Sequence, residues 1–335
     1  MGDFMINTND LKKVLEDKIS ESRQVILTGH TGADFDSIAS CIAMSEIAKK
    51  FKTDVYILHN DPLVKIEPGI KEMIDNTNST INYINNEEYK KIKTNSDLLI
   101  TLDVSNIELL PCKEFIDSFK NIIVIDHHKG NENTIKTKFK YIDSTISSAS
   151  EIMTNLLISY KINFTKNIAN YLLTGIYLDT NKYTKNCSSK TMNMVSRLLD
   201  RGADIAKVNE FFETDFESDR KVQDLVSKAN FITYSIAICI ADDTVTYTKE
   251  ELAKVADYLL RFKADAAFAA GFIDNELISI SARSKGKVDV SKIMNIMCGG
   301  GNKYSAATKI NSNDLTSEGK KLEKLTKPNF YIDEN

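Results

Sequence analysis

The sequence predicts an α/β protein: a doubly wound, mainly parallel sheet (α/β) followed by a second, smaller α/β domain. Short β-branched apolar runs alternate with polar loops and helix-like stretches through the first half, which is the pattern of βα units. A charged, helix-prone stretch with no strand-like run then separates this half from the rest. Beyond it, apolar runs resume at hairpin spacing and lead to three consecutive glycines.

In chain order, Val25–Thr28, Asp54–Leu58, Leu98–Leu102 and Ile122–Ile125 read as strands, while Leu172–Leu178 fits either a strand or the end of a helix. Ser37–Phe51 and Ser150–Tyr160 carry apolar residues at helical spacing, with Ser37 or Ser150 suited to cap them. Residues 1–200 are therefore assigned to the first domain, 201–228 to a helical linker and 229–335 to the second domain. In the latter, Phe231–Ala241 reads as a strand. Ala266–Ile273 and Leu277–Ala282 flank Asp274, Asn275 and Glu276 as a hairpin, and Val290–Met297 reads as a helix before Cys298 and Gly299–Gly301.

With 335 residues, 42% of them hydrophobic, the chain can bury a large core. A net charge of -4 argues against long duplex nucleic acid as a partner, because such binders carry a basic footprint. Small phosphorylated ligands stay open, since bound divalent cations supply positive charge locally. The absence of an 18-residue apolar run or a basic-then-apolar leader predicts no membrane association and a cytoplasmic address. Cys41, Cys112, Cys187, Cys239 and Cys298 occur singly, which predicts buried reduced thiols rather than disulfides or a zinc site. A homodimer is a possible assembly.

The chemistry concentrates in few residues. Of four histidines, three lie in two carboxylate-rich clusters: His30 with Asp34 and Asp36, and Asp126 with His127 and His128. Each cluster follows a strand-like run, as does Asp103, and Asp179 follows Leu178. All would lie at the carboxyl edge of a parallel sheet, where open α/β folds build their sites. A lone aspartate after a strand is usually a cap or turn residue, but four such groups at one edge are hard to produce as independent caps. Two imidazoles with five carboxylates suit manganese, magnesium or iron. Two such ions about 3.5–4 Å apart activate water and stabilise charge on phosphorus. His59 is read as structural.

HxxxDxD at His30, the strand-end Asp103, the triplet Asp126, His127 and His128, and GIYxDT ending at Asp179 and Thr180 resemble, in order and spacing, the four motifs of the DHH phosphoesterases. Ile280–Gly286, Val288–Ser291, Gly299–Gly301 and Ala306–Ala307 look like the RSxG and GGGH-type elements of that family's smaller C-terminal domain. The resemblance runs from about residue 23 to about 310. It implies two divalent metal ions, Mn2+ first, with Mg2+ or Fe2+ as alternatives. His30, Asp34 and Asp103 would hold one ion, and Asp36, Asp103, His127 and Asp179 the other. Asp126 would orient His127, and His128 would face the scissile phosphate. Arg283 would clamp a phosphate, and Ser284, Gly299, Gly300, Gly301 and Asn302 would complete the substrate site.

Within the family, the pattern is similar to the nanoRNase/pAp phosphatases, so the implied activity is hydrolysis of short RNA or of 3′-phosphoadenosine 5′-phosphate (pAp). The alternatives are a pApA or cyclic di-AMP phosphodiesterase and a nucleotide-binding sensor without turnover. Arg283 and the glycine loop argue against the family's class II pyrophosphatases. Three positions depart from the family pattern: Ala33 stands for a usual Pro, Asn181 for a frequent Gly, and Asn302 for the usual His ending the glycine loop. Asn302 can donate and accept hydrogen bonds but carries no positive charge, which implies altered substrate contacts.

Overall fold

The structure, a computed structural model, describes residues 8–59, 67–213, 216–233 and 235–327. It divides into two compact units, with the boundary after Glu213.

The first unit runs α1 (Thr8–Ser20), β1 (Gln24–Thr28), α2 (Phe35–Lys49), β2 (Asp54–Leu58), α3 (Pro68–Thr77), β3 (Asn82–Ile84), α4 (Asn86–Ile92) and β4 (Asp97–Leu102). It continues with β5 (Asn121–Asp126), β6 (Phe139–Ile142), α5 (Ala149–Ser159), α6 (Lys166–Asp179), α7 (Ser189–Asp200) and α8 (Ile205–Glu210). The six strands are all parallel, in the order β3-β2-β1-β4-β5-β6. Alternation divides the continuous apolar runs between the two faces of the sheet. Val25, Leu27, Leu98, Ile100, Ile123 and Ile125 join the core that includes α2 and α6, whereas Ile26, Leu99 and Val124 join a smaller core around Tyr89 and Phe119. Strand order reverses between β1 and β4, so their carboxyl ends flank the crevice where such sheets bind ligands.

The residues 172–178 lie within helix α6, not a strand. Every residue from Ile168 to Tyr177 is buried, and a helix apolar all round reads like a strand in sequence. The caps also sit earlier than expected. Asp34 caps α2 by accepting from the Ser37 N–H at 3.0 Å, and Ser148 caps α5 by accepting from the Glu151 N–H at 3.1 Å. The short strands β3 and β6 carry too little apolar pattern to announce themselves. The stretch read as a linker is shared out: Val208 and Phe211 join the first core, Val222 and Leu225 the second.

The second unit runs α9 (Phe216–Ser227), β7 (Asn230–Thr233), β8 (Ile236–Ile240), α10 (Lys249–Leu259), β9 (Ala266–Asp274), β10 (Leu277–Ser284), α11 (Val290–Ile296), β11 (Gly300–Gly301), β12 (Ser305–Asn311) and α12 (Leu315–Leu325). Its mixed sheet has the order β11-β12-β10-β9-β8-β7, with the expected antiparallel hairpin at β9 and β10. The single strand expected over 231–241 is instead the antiparallel pair β7 and β8. Alanines 266, 267, 269 and 270 of β9 are fully buried and share a core with Leu252, Val255 and Leu259 of α10.

Cys41, Cys112 and Cys239 are buried thiols, but Cys187 is only half-buried. Cys298 is exposed, because it turns the chain with φ 61° just before the glycine loop. His59 lies edge-on to Tyr83, with ring centroids 6.3 Å apart. Among the described residues, no helix is long and apolar enough to cross a membrane.

Candidate metal centre

The centre forms at the carboxyl ends of β1, β4 and β5, joined by the last residue of α6. After β1 the chain must turn tightly into α2. A Cβ on Gly29 would lie 1.7 Å from Ser37 Oγ and 3.1 Å from Ser37 Cβ, so a side chain there would force the Ser37 hydroxyl aside. The turn delivers His30 and then Asp34 and Asp36, and carboxylates are favoured at the positive end of a helix. His30 Nε2 lies 3.7 Å from Asp34 Oδ1 and 3.5 Å from Asp103 Oδ2.

Asp103 follows β4 in the left-handed conformation, φ 61°, which Asp and Asn tolerate better than other side chains. Its N–H still donates to the Ile125 carbonyl at 3.0 Å, so the ladder is extended while the carboxylate swings into the crevice. His127 Nε2 lies 3.2 Å from Asp103 Oδ1, 3.1 Å from Asp179 Oδ2 and 3.9 Å from Asp36 Oδ2. Among the described residues, three overlapping groups have ligand atoms within 4.8 Å of one another: His30, Asp34 and Asp103; Asp36, Asp103, His127 and Asp179; and Asp103, His127 and His128. Asp103 belongs to all three.

Asp103 Oδ1, His127 Nε2 and Asp179 Oδ2 are buried and have no hydrogen-bond partner of acceptable geometry, although they converge on one another. Buried polar atoms left unpaired are costly, and a cation among them removes the cost. The donor set therefore fits divalent metal, with nitrogen and oxygen ligands and no thiolate.

The electrostatics agree. Burial disfavours the imidazolium of His30, but its contacts with Asp103 and Asp34 outweigh this and push its pKa up to about 11. His127 is likewise opposed by burial yet raised to about 11 by Asp103 and Asp179. Burial, then the charge of Asp179, pushes the Asp36 carboxyl up to about 7. A metal-free cluster thus recruits protons to balance its carboxylates.

Asp126 differs from the sequence expectation. Its Oδ1 contacts His128 Nδ1 at 2.9 Å and accepts from the His128 N–H at 3.1 Å, so it orients His128 rather than His127. The His128 side chain is 59% exposed, which leaves its other ring nitrogen available.

In the second unit, Arg283 on β10 lines a groove of about 400 Å³ with Ser281, Gly300, Gly301, Lys249 and Glu250. Arg283 Nε also reaches Asp257 Oδ2 at 3.3 Å. Lys249 and Glu250 open α10 and were not anticipated. The capping box of Thr248 and Glu251 marks that helix start, but nothing in sequence ties it to Arg283. Gly299 and Gly301 admit the close approach of β11 to β12, since a Cβ on either would lie 2.3–2.4 Å from backbone atoms of that strand. Gly300 faces open space.

Two of the expected substrate residues have local roles in the fold. The Ser284 hydroxyl donates to the Val288 carbonyl at 2.6 Å and accepts from the Gly286 N–H at 2.9 Å, so it closes a turn. Asn302 Oδ1 accepts from the N–H groups of Tyr304 and Ser305 at 2.8 and 3.0 Å, so its oxygen is used in the hairpin bend. A larger cavity of about 560 Å³ lies in the first unit between β6, α5 and α7, and it is lined by none of the predicted site residues.

Residues 24–176 match the DHH family N-terminal domain and residues 232–327 the DHHA1 domain. The chain is 30% identical to the cyclic-di-AMP phosphodiesterase GdpP of Bacillus subtilis over 90% of its own length and 47% of that protein. It is 29% identical to the bifunctional oligoribonuclease and PAP phosphatase NrnA of Mycoplasma pneumoniae over 44% of its length and 45% of that protein. The chain covers 36–48% of the length of the first curated relatives it matches. Among solved structures, an exopolyphosphatase-related protein from Bacteroides fragilis superposes with TM-score 0.76 at 18% identity, covering 96% of this chain and 98% of the other, so the fold is shared. The chain thus carries the DHH family N-terminal domain followed by the DHHA1 domain.

Proposed function

We propose that the chain is a two-metal phosphodiesterase that hydrolyses a short adenine nucleotide. The observation that carries this reading is the convergence of the unpaired buried atoms Asp103 Oδ1, His127 Nε2 and Asp179 Oδ2. His30, Asp34 and Asp103 would hold one ion and Asp36, Asp103, His127 and Asp179 the other, with Mn2+ suited to the set and Mg2+ or Fe2+ compatible. Two such ions supply an activated water and offset the charge that builds on phosphorus.

The chain's own groups do the rest. Asp126 fixes the ring of His128, so that Nε2 can hold a proton toward a phosphate oxygen or the departing oxygen. The hydrogen bond that Asp126 accepts from the ring also raises the His128 pKa, which favours that protonated form. Arg283, in the groove of the second unit, offers a planar fork to a nucleotide phosphate, and the exposed backbone of Gly300 allows close approach.

For the substrate, similarity to cyclic-di-AMP phosphodiesterases over nine-tenths of the chain favours cyclic di-AMP or pApA. Short RNA and pAp are the second reading, favoured by the likeness to the oligoribonuclease and PAP phosphatase over a shorter span. The complete ligand set supports turnover over mere nucleotide sensing. A panel of cyclic di-AMP, pApA, pAp, two- to four-residue RNA and pyrophosphate, given to Mn2+-loaded protein, tests the reading. Opening of cyclic di-AMP to pApA, or release of AMP from pApA, supports it; release of mononucleotides from short RNA, or of AMP and phosphate from pAp, supports the second reading; and hydrolysis of pyrophosphate alone overturns both.

A further inference from the structure

Asp36 is held in an unusual way. Both of its carboxylate oxygens accept backbone N–H groups from another helix: Oδ2 from Ala149 and Oδ1 from Ser150, each at 2.7 Å. Ala149 and Ser150 are the first two residues of α5, whose third N–H is satisfied by the Ser148 cap. Asp36 itself occupies the first turn of α2, so the positive ends of two helices meet on one fully buried carboxylate.

The third wall is α6. A Cβ on Gly175 would lie 2.7 Å from Asp36 Oδ1 and 2.3 Å from Ser150 Oγ, so α6 can approach only because this position lacks a side chain. Glycine is unfavourable inside a helix, and here the close approach accounts for it. None of Ser148, Ala149, Ser150 or Gly175 belongs to the groups able to hold metal. With Oδ1 turned to Ser150 and Oδ2 lying 3.9 Å from His127 Nε2, Asp36 faces the centre through a single oxygen.

We propose that the α5 N-terminus, seated against Gly175, is a positioning device for Asp36 that sets the affinity of one of the two metal sites and leaves the other untouched. The proposal rests on the metal-centre reading above. It follows from the composition of the two ligand groups: Asp36 belongs to the set with Asp103, His127 and Asp179, while the set of His30, Asp34 and Asp103 does not include it. A purely structural role for α5 would instead weaken both sites along with the fold.

The test is a Mn2+ titration of the metal-free full chain by calorimetry, with melting temperature and circular dichroism on the same samples. Proline is accepted at the first position of a helix, so Ala149→Pro deletes one donor to Asp36 without breaking α5. Its ring would also occupy the space of Asp36 Oδ2. The unaltered chain should bind two ions, and Ala149→Pro should retain one while weakening the other by at least about 10-fold, the usual effect of losing a partner that orients a ligand. Ser148→Ala, which only loosens the first turn of α5, should shift the same single site by roughly 3- to 10-fold, and it decides the matter if Ala149→Pro does not fold. Two unchanged sites, or equal weakening of both, overturns the proposal. Failure of the unaltered chain to bind two ions overturns the metal-centre reading itself.

Discussion

The Asp126 carboxylate holds His128 at two points, ring Nδ1 and backbone N–H, and makes no such contact with its neighbour His127. Under the proposed assignment, removing it would disturb the ring of His128 that is to face the phosphate and leave the ring of His127, the proposed ligand, alone. Asp126→Ala should lower kcat by about 10- to 100-fold with bound metal unchanged. Metal content and rate on one preparation check this. Loss of metal in place of rate would return Asp126 to His127.

Asp103 is common to every candidate ligand group, so its loss should be felt by both ions. Asp103→Ala should abolish turnover and reduce bound metal. If the residue were only a strand-end cap, the change would cost about 1 kcal/mol of stability with activity retained. Metal analysis alongside the rate separates the outcomes.

The imidazoles of His30 and His127, raised to about 11, are protonated in metal-free protein at neutral pH, whereas a ligand nitrogen must be neutral. Metal binding should thus release protons, and apparent affinity should rise with pH, by about tenfold per unit for each proton released. Calorimetry in buffers of different ionisation enthalpy counts the protons. A pH-independent affinity between 6 and 8, values chosen to span neutrality around the ordinary histidine pKa of about 6.5, would contradict the assignment of both rings as ligands.

Arg283 and lysine differ in geometry, not charge. If the guanidinium makes a bidentate phosphate contact, Arg283→Lys should cost about 1.5–3 kcal/mol, or roughly a 10- to 150-fold drop in kcat/KM on nucleotides. Bis(p-nitrophenyl) phosphate, which offers no second phosphate, should be hydrolysed at nearly the original rate. Equal losses on both substrates would assign Arg283 to the chemical step or to the fold.

The parts of the site that break an apolar pattern were legible in sequence. His30, Asp34, Asp36, Asp103 and Asp126–His128 each interrupt or follow a strand-like run, and β1, β4 and β5 deliver them together. Asp179 was legible as a site residue but not its setting, because α6 is buried all round and has no polar face to reveal its period. The partner of Asp126 depends on how the backbone turns after β5, and two adjacent histidines give no hint of it. Lys249 and Glu250 reach the groove of Arg283 only through the packing of α10 on β9 and β10, a relation carried by no local spacing.

The left-handed backbone at Asp103 narrows what evolution can write there. Gly, Asn and Asp are the residues that this conformation accommodates with least strain, and among them Asp alone carries a charge. Exchange for Asn keeps both shape and backbone while removing the negative charge that the candidate ligand groups share. If the proposed centre hydrolyses a nucleotide, a folded, non-hydrolysing descendant lies one substitution away, and a receptor for that nucleotide would be reached through Asp103→Asn without first passing through an unstable intermediate.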